Sequence, residues 1–184
     1  WLCLALTLFL ISGCLTAKAE PAFSVQARSA ILVDFDSGTI LYEKNIDDKL
    51  PIASMTKIMS LCIIFDEVEA GNLSFTDKVT VSEKAAKIGG SHVFTDANWA
   101  YPAGELIKSI IIASANDATM AMAEHISGNE ETFVARMNKK AQELGMTNTV
   151  FVNCTGLPAP GQYSTARDVA TMSRELLKHK EFFK

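Results

Sequence analysis

Ser54, Lys57, Ser114 and Asn116 are the residues whose types and spacing suggest chemistry in this 184-residue chain. Ser54-Met55-Thr56-Lys57 places a hydroxyl and an amine three positions apart at the expected start of a helix, on one face. An amine that has shed its proton can serve as base to such a hydroxyl, which then attacks an acyl carbon. Ser114-Ala115-Asn116 follows sixty positions after Ser54 and adds a second hydroxyl and an amide. The four together suggest acyl transfer through a serine ester. Each motif also has a plain alternative: Ser54 as a helix N-cap with Lys57 solvated in the first turn, and Asn116 as the cap of its own helix.

The elements around the motifs favour the chemical reading. Met55 to Ala70 is apolar around nearly its whole circumference and stops at Gly71. A helix of that kind is buried on several sides, so a lysine in its first turn is partly desolvated and its amine more easily neutral. Pro51 suits a stiff approach to the helix. Gly104 to Ala113 and Asp117 to Ile126 read as consecutive helices, which places Ser114 to Asn116 at a tight polar junction between apolar elements.

The remaining pattern is α+β. Ser29 to Phe35 and Thr39 to Glu43 flank Asp36-Ser37-Gly38 as a hairpin, and Lys78 to Val81 is a further short strand. Ser82 is expected to cap a small helix ending near Gly89. Ser127 with Glu130 forms a capping-box pattern for a helix to Leu144, with Gly145 as its stop. Thr149 to Val152 is extended, and Ser164 is the expected cap of the last helix. Gly89-Gly90-Ser91 reads either as a turn or as a loop over the cleft.

One domain with a substantial core fits this length. Lys+Arg 17 against Asp+Glu 21 gives a net charge of −4 without blocks of like charge, which argues against nucleic acid. His92, His125 and His179 lack ligand spacing, and no metal or cofactor is expected. Residues 1–19 read as part of a signal peptide: Trp1 to Gly13 is apolar and uncharged, and Ala17-Lys18-Ala19 fits a cleavage site. Ile11-Ser12-Gly13-Cys14 offers a competing lipoprotein reading. Both routes export the protein, with membrane attachment left open. Cys62 and Cys154 would remain after cleavage and are expected to be free thiols.

Longer stretches carry a resemblance. Ala30-Ile31-Leu32-Val33-Asp34, Asp36-Ser37-Gly38-Thr39-Ile40-Leu41-Tyr42, Leu50-Pro51-Ile52-Ala53-Ser54-Met55-Thr56-Lys57, Gly89-Gly90-Ser91, Ala113-Ser114-Ala115-Asn116-Asp117-Ala118, Asn153-Cys154-Thr155-Gly156-Leu157 and Ser164-Thr165-Ala166-Arg167-Asp168 resemble the serine-type D-alanyl-D-alanine carboxypeptidases. These are low-molecular-weight penicillin-binding proteins. The resemblance runs from about Phe23 to the end of the chain. It implies a β-lactamase/transpeptidase-like fold, a helical cluster on an antiparallel sheet, with residues 20–184 as an incomplete catalytic domain lacking the C-terminal strands. It implies that Ser54 attacks the bond between the terminal D-alanines of a peptidoglycan stem peptide, that Lys57 takes the Ser54 proton, and that Ser114 relays it to the leaving amine. Asn116 would bind the substrate amide and help hold Lys57. The Ser54 N–H is a natural oxyanion donor, and β-lactams would acylate Ser54.

A Lys-Thr-Gly strand, implied by the same resemblance, does not occur before Lys184. The 184-residue polypeptide is therefore expected to be nearly inactive and its full-length parent active. Two rivals remain. A class A β-lactamase needs a glutamate on a later loop, and Leu144 to Arg174 contains none. A non-catalytic peptidoglycan-binding or β-lactam-sensing module would be expected to have lost its nucleophile or base, and neither is lost here.

Overall fold

A computed structural model describes residues 25–183, so the signal-peptide and lipoprotein readings lie outside the described residues. β1 (Ala30–Val33) and β2 (Ile40–Lys44) form an antiparallel hairpin. Its turn is closed by the Asp34 carboxylate, which accepts from the Ser37 N–H at 2.8 Å and the Ser37 hydroxyl at 2.5 Å. A 3-10 turn (Ala53–Met55) leads into α1 (Thr56–Glu69). β3 (Lys78–Thr80) pairs antiparallel with β4 (Ala100–Pro102), and the short α2 (Glu83–Ala86) lies between them in sequence. Then come α3 (Ala103–Ala113), α4 (Asn116–Ser127), α5 (Glu130–Glu143), α6 (Ala166–Leu176) and a closing 3-10 turn (Lys180–Phe183). The class is α+β as expected, but the described strands form two separate two-stranded sheets.

α1 runs through the centre of the core, packed against α4, α5 and α6. Met59, Cys62, Ile63, Ile64 and Phe65 are buried on it together with Thr56, Lys57 and Ser60. Each large apolar side chain so buried contributes about 1.5–3 kcal/mol. This packing holds the first turn of α1, and with it Lys57, inside the protein. The far end of α1 is tied by ion pairs instead: Lys140 Nζ lies 2.7 Å from Asp66, and Arg136 pairs with Glu67.

Two caps differ from the sequence reading. α5 is capped by Asn129, whose Oδ1 accepts from the Thr132 N–H at 2.8 Å, and not by a Ser127–Glu130 box. Gly128, at φ +80°, ends α4 one residue later than that box requires. Glu130 is thereby released to pair with Lys84 at 2.9 Å. α6 is capped by Thr165, which accepts from the Asp168 N–H at 3.1 Å. Ser164 instead lies in an antiparallel bridge to Leu50, and its hydroxyl bonds Thr149 at 2.7 Å. Ser82 does cap α2, accepting from the Ala85 N–H at 3.0 Å.

Candidate active site

The turn that delivers Ser54 is strained. Ala53 has φ +45°, a left-handed conformation unfavourable to a residue with a Cβ. Such strain persists only where the surroundings over-determine it. Here the chain from Asn153 to Leu157 crosses directly over the Ala53–Ser54 peptide. Gly156, at φ +86°, lies so close that a methyl group added there would overlap the Ala53 carbonyl and sit 3.1 Å from the Ser54 nitrogen. Asn153 folds that crossing segment: its Oδ1 accepts from the Gly156 N–H at 2.7 Å and the Thr155 N–H at 3.2 Å, and its amide donates to Leu157 O at 2.8 Å.

Nucleophile and base candidates share a side of the first turn but not an environment. Ser54 is exposed, whereas Lys57 is only 3% exposed. Lys57 Nζ donates to Ser54 Oγ at 3.3 Å and to Thr155 O at 2.7 Å. Burial pushes the Lys57 pKa down to about 8, because the charged form is the one that loses hydration. The amine is thus accessible in neutral form near physiological pH, in hydrogen-bond contact with an exposed hydroxyl.

Ser114 is the half-buried residue at the C-terminal cap of α3, at φ 54° and ψ 37°, and turns the chain into α4. Among the described residues no hydrogen bond joins its hydroxyl to Ser54 or Lys57. Asn116 is not the cap of α4, whose N-cap is Ala115. Its Nδ2 donates to Gly89 O at 2.7 Å, its N–H donates to Ser91 O at 2.7 Å, and its Oδ1 is buried without a partner. Among the described residues no hydrogen bond joins Asn116, expected to help hold Lys57, to that amine; the Thr155 carbonyl accepts from Lys57 instead. Gly90 lies so near the Asn116 amide and Leu157 that an added methyl would sit 2.6 Å from the one and 3.3 Å from the other, which places the 89–91 loop beside the segment covering Ser54. The loop is thus tied to Asn116 and to the segment that covers Ser54.

A groove of about 340 Å³ runs alongside, lined by Ile52, Ala53, Gly156, Leu157, Pro158 and Gln162. No group of three or more His, Cys, Asp or Glu able to hold a metal occurs among the described residues. Cys62 and Cys154 are both buried and free. Sequence reasoning missed the Thr155 carbonyl as the partner of Lys57. An Asn two residues before a Thr-Gly pair is a turn signal, but a backbone acceptor ninety-eight positions from its donor leaves no mark in composition or periodicity.

The family profile described as D-alanyl-D-alanine carboxypeptidase, peptidase S11, matches residues 15–183. The D-alanyl-D-alanine carboxypeptidase DacF of Bacillus subtilis is 49% identical over 167 residues, covering 91% of this chain and 43% of DacF. DacC of Escherichia coli is 40% identical over 178 residues, covering 94% of this chain and 44% of DacC. The chain thus spans less than half the length of these relatives. Among solved structures, the D-alanyl-D-alanine carboxypeptidase DacD from Francisella tularensis superposes with a TM-score of 0.84 at 38% identity, over 85% of this chain and 38% of that one. Penicillin binding protein 6B from Escherichia coli gives 0.85 at 30% identity, over 91% of this chain and 55% of that one. The fold is that of the penicillin-binding proteins, and the chain belongs to the D-alanyl-D-alanine carboxypeptidase family, peptidase S11.

Proposed function

We propose that the protein containing this chain is a serine D-alanyl-D-alanine carboxypeptidase that trims peptidoglycan stem peptides outside the cytoplasm. The observation that carries this reading is the buried Lys57 amine, 3.3 Å from the exposed Ser54 hydroxyl. In the proposed reaction Ser54 Oγ forms a bond to the carbonyl carbon of the penultimate D-alanine while Lys57 Nζ accepts the hydroxyl proton. The carbonyl oxygen gains charge beside the Ser54 N–H at the entrance of α1. The C–N bond then breaks, the proton passes through Ser114 to the leaving amine, and D-alanine departs. Water hydrolyses the remaining Ser54 ester with Lys57 again as base. Asn116 is assigned to the amide of the bound peptide. β-Lactams are expected to acylate Ser54 through their strained amide.

Residues 20–184 form part of the catalytic domain in this reading, and residues 1–19 belong to an export signal. No helix among the described residues is long and apolar enough to cross a membrane. The test is D-alanine release from a synthetic peptide ending in D-Ala-D-Ala, by the gene product read to its natural stop codon. Release supports the carboxypeptidase reading. Binding of the peptide without release replaces it with the binding-module reading, and rapid penicillin turnover without release replaces it with a β-lactamase.

The pH profile follows from the Lys57 environment. Its active form is the neutral amine, so the acylation rate is expected to rise by roughly tenfold per pH unit below the Lys57 pKa. It should level off above a pH of about 8. Stopped-flow acylation by a chromogenic β-lactam checks this, and a rate flat from pH 6 to 9 would remove Lys57 from the role of base.

A further inference from the structure

The segment between α2 and β4 follows an irregular path that its own residues do not explain. Gly90 has φ +82°, and Phe94 has φ +59° although it is not a glycine and is 80% exposed. Its ring meets that of His92 in the same loop edge-on, 4.2 Å between centroids, and that local contact does not anchor the loop to the rest of the protein, so another group must hold its backbone. That group is Asp117, the second residue of α4, which is only 1% exposed.

The Asp117 carboxylate accepts the Val93 N–H at 3.2 Å, the Thr95 N–H at 3.0 Å and the Thr95 hydroxyl at 3.0 Å. Its grip therefore falls on both sides of Phe94. Within its own helix it accepts only the Ala118 N–H, at 2.9 Å. An acidic residue serving merely as a first-turn helix stabiliser would direct its oxygens along the helix instead. Burial works to raise the pKa of this carboxyl, but the hydrogen bonds from Thr95, Val93 and Ala118 outweigh it and hold the group below the usual carboxylate range. The neighbouring residue, Asn116, grips the preceding part of the same loop through Gly89 O and Ser91 O. Gly90 sits against the Asn116 amide so tightly that an added methyl would lie 2.6 Å from Nδ2.

We propose that Asp117 is a positioning residue for acylation: by pinning residues 93–95 it fixes residues 89–91 against Asn116, and so sets the orientation in which the Asn116 amide meets the amide group of the acyl donor. This rests on the reading of Ser54 as acylated nucleophile with Asn116 on the substrate amide. The loop then acts on selectivity, favouring acyl donors that carry an amide beside the reacting carbonyl.

The test uses the gene product read to its stop codon and two probes sharing one strained amide. Benzylpenicillin carries an acylamino side chain; 6-aminopenicillanic acid has a free amine in its place. The second-order rate of adduct formation is followed by intact mass for wild type, D117A, D117N and G90A. For D117A the preference for benzylpenicillin is expected to fall by roughly tenfold or more, the worth of one well-placed hydrogen bond. G90A is expected to move the preference the same way, because its methyl drives the loop off Asn116 without removing a buried group. D117N, which keeps one acceptor oxygen, should fall between wild type and D117A. A purely structural role lowers both rates by the same factor, so an unchanged ratio in G90A and in folded D117A overturns the inference while leaving the Ser54 reading intact. A folded wild-type protein that neither probe acylates overturns both.

Discussion

Replacing Ser54 by alanine in the full gene product is expected to abolish the penicillin adduct and to lower D-alanine release by at least ~10⁴-fold, with folding stability almost unchanged. The kinetic magnitude follows from removing a nucleophile whose partners act only through it, where losses of order 10⁶ are known for analogous triads. The stability expectation follows from position. Ser54 is exposed, and among the described residues the one side-chain hydrogen bond it receives, from Lys57, is long at 3.3 Å. Lys57 keeps its 2.7 Å bond to Thr155 O when that contact is lost, so no buried amine is left without a partner. Substitutions of exposed residues that leave no buried group unpartnered stay within about 0.5 kcal/mol. Intact mass after brief penicillin exposure, beside a urea melt of both proteins, checks the two halves. An adduct on the folded S54A protein would move the nucleophile elsewhere and remove the basis of the proposed mechanism.

The helices and the pairing of Ser54 with Lys57 were legible because their causes are local. An apolar run with a Ser-x-x-Lys entrance fixes both the burial of α1 and the side of the turn on which Lys57 meets Ser54. The hairpin before it was equally visible in Asp36-Ser37-Gly38 between two β-rich runs. The misplaced caps at Ser127 and Ser164 each have a stronger competitor one or two residues on. Asn129 and Thr165 win because Gly128 and the Leu50–Ser164 bridge decide where the chain becomes helical. These are tertiary facts, and no single-segment pattern contains them. The partner of Lys57 was illegible for the same reason. The family resemblance implied that Asn116 would help hold the amine, whereas its 2.7 Å hydrogen bond goes to a main-chain carbonyl.

Burial of Lys57 and strain at Ala53 are two sides of one arrangement. An ammonium group held in the core is destabilising unless its protons find acceptors, and the Thr155 carbonyl supplies one. The same loop that brings this carbonyl must pass over the Ala53–Ser54 peptide, and only a residue without a Cβ can make that crossing. Placing the proposed base and holding the backbone of the proposed nucleophile therefore fall to one five-residue segment, Asn153 to Leu157, distant in sequence from both.

Gly156→Ala is accordingly expected to damage stability and chemistry together. At φ +86° the alanine pays the left-handed penalty of about 1–2 kcal/mol. Its methyl would also overlap the Ala53 carbonyl, so one of the two backbones must move. Movement of the Ala53–Ser54 peptide displaces the Ser54 N–H and Oγ; movement of the loop withdraws Thr155 O from Lys57. Either shift approaches the 1 Å scale at which rates fall by about 10²-fold. We expect stability lower by roughly 2–4 kcal/mol and acylation slower by about 10²-fold or more. Gly145→Ala is the matched control: its φ is +72°, but an added methyl meets nothing within 4 Å. It carries the conformational penalty alone, so its melting temperature should drop while the acylation rate stays at the wild-type value. Acylation rates measured on both variants below their melting temperatures decide the matter. Wild-type acylation by folded G156A would mean that the crossing loop serves packing only, and that the strained turn at Ala53 keeps Ser54 in place without it.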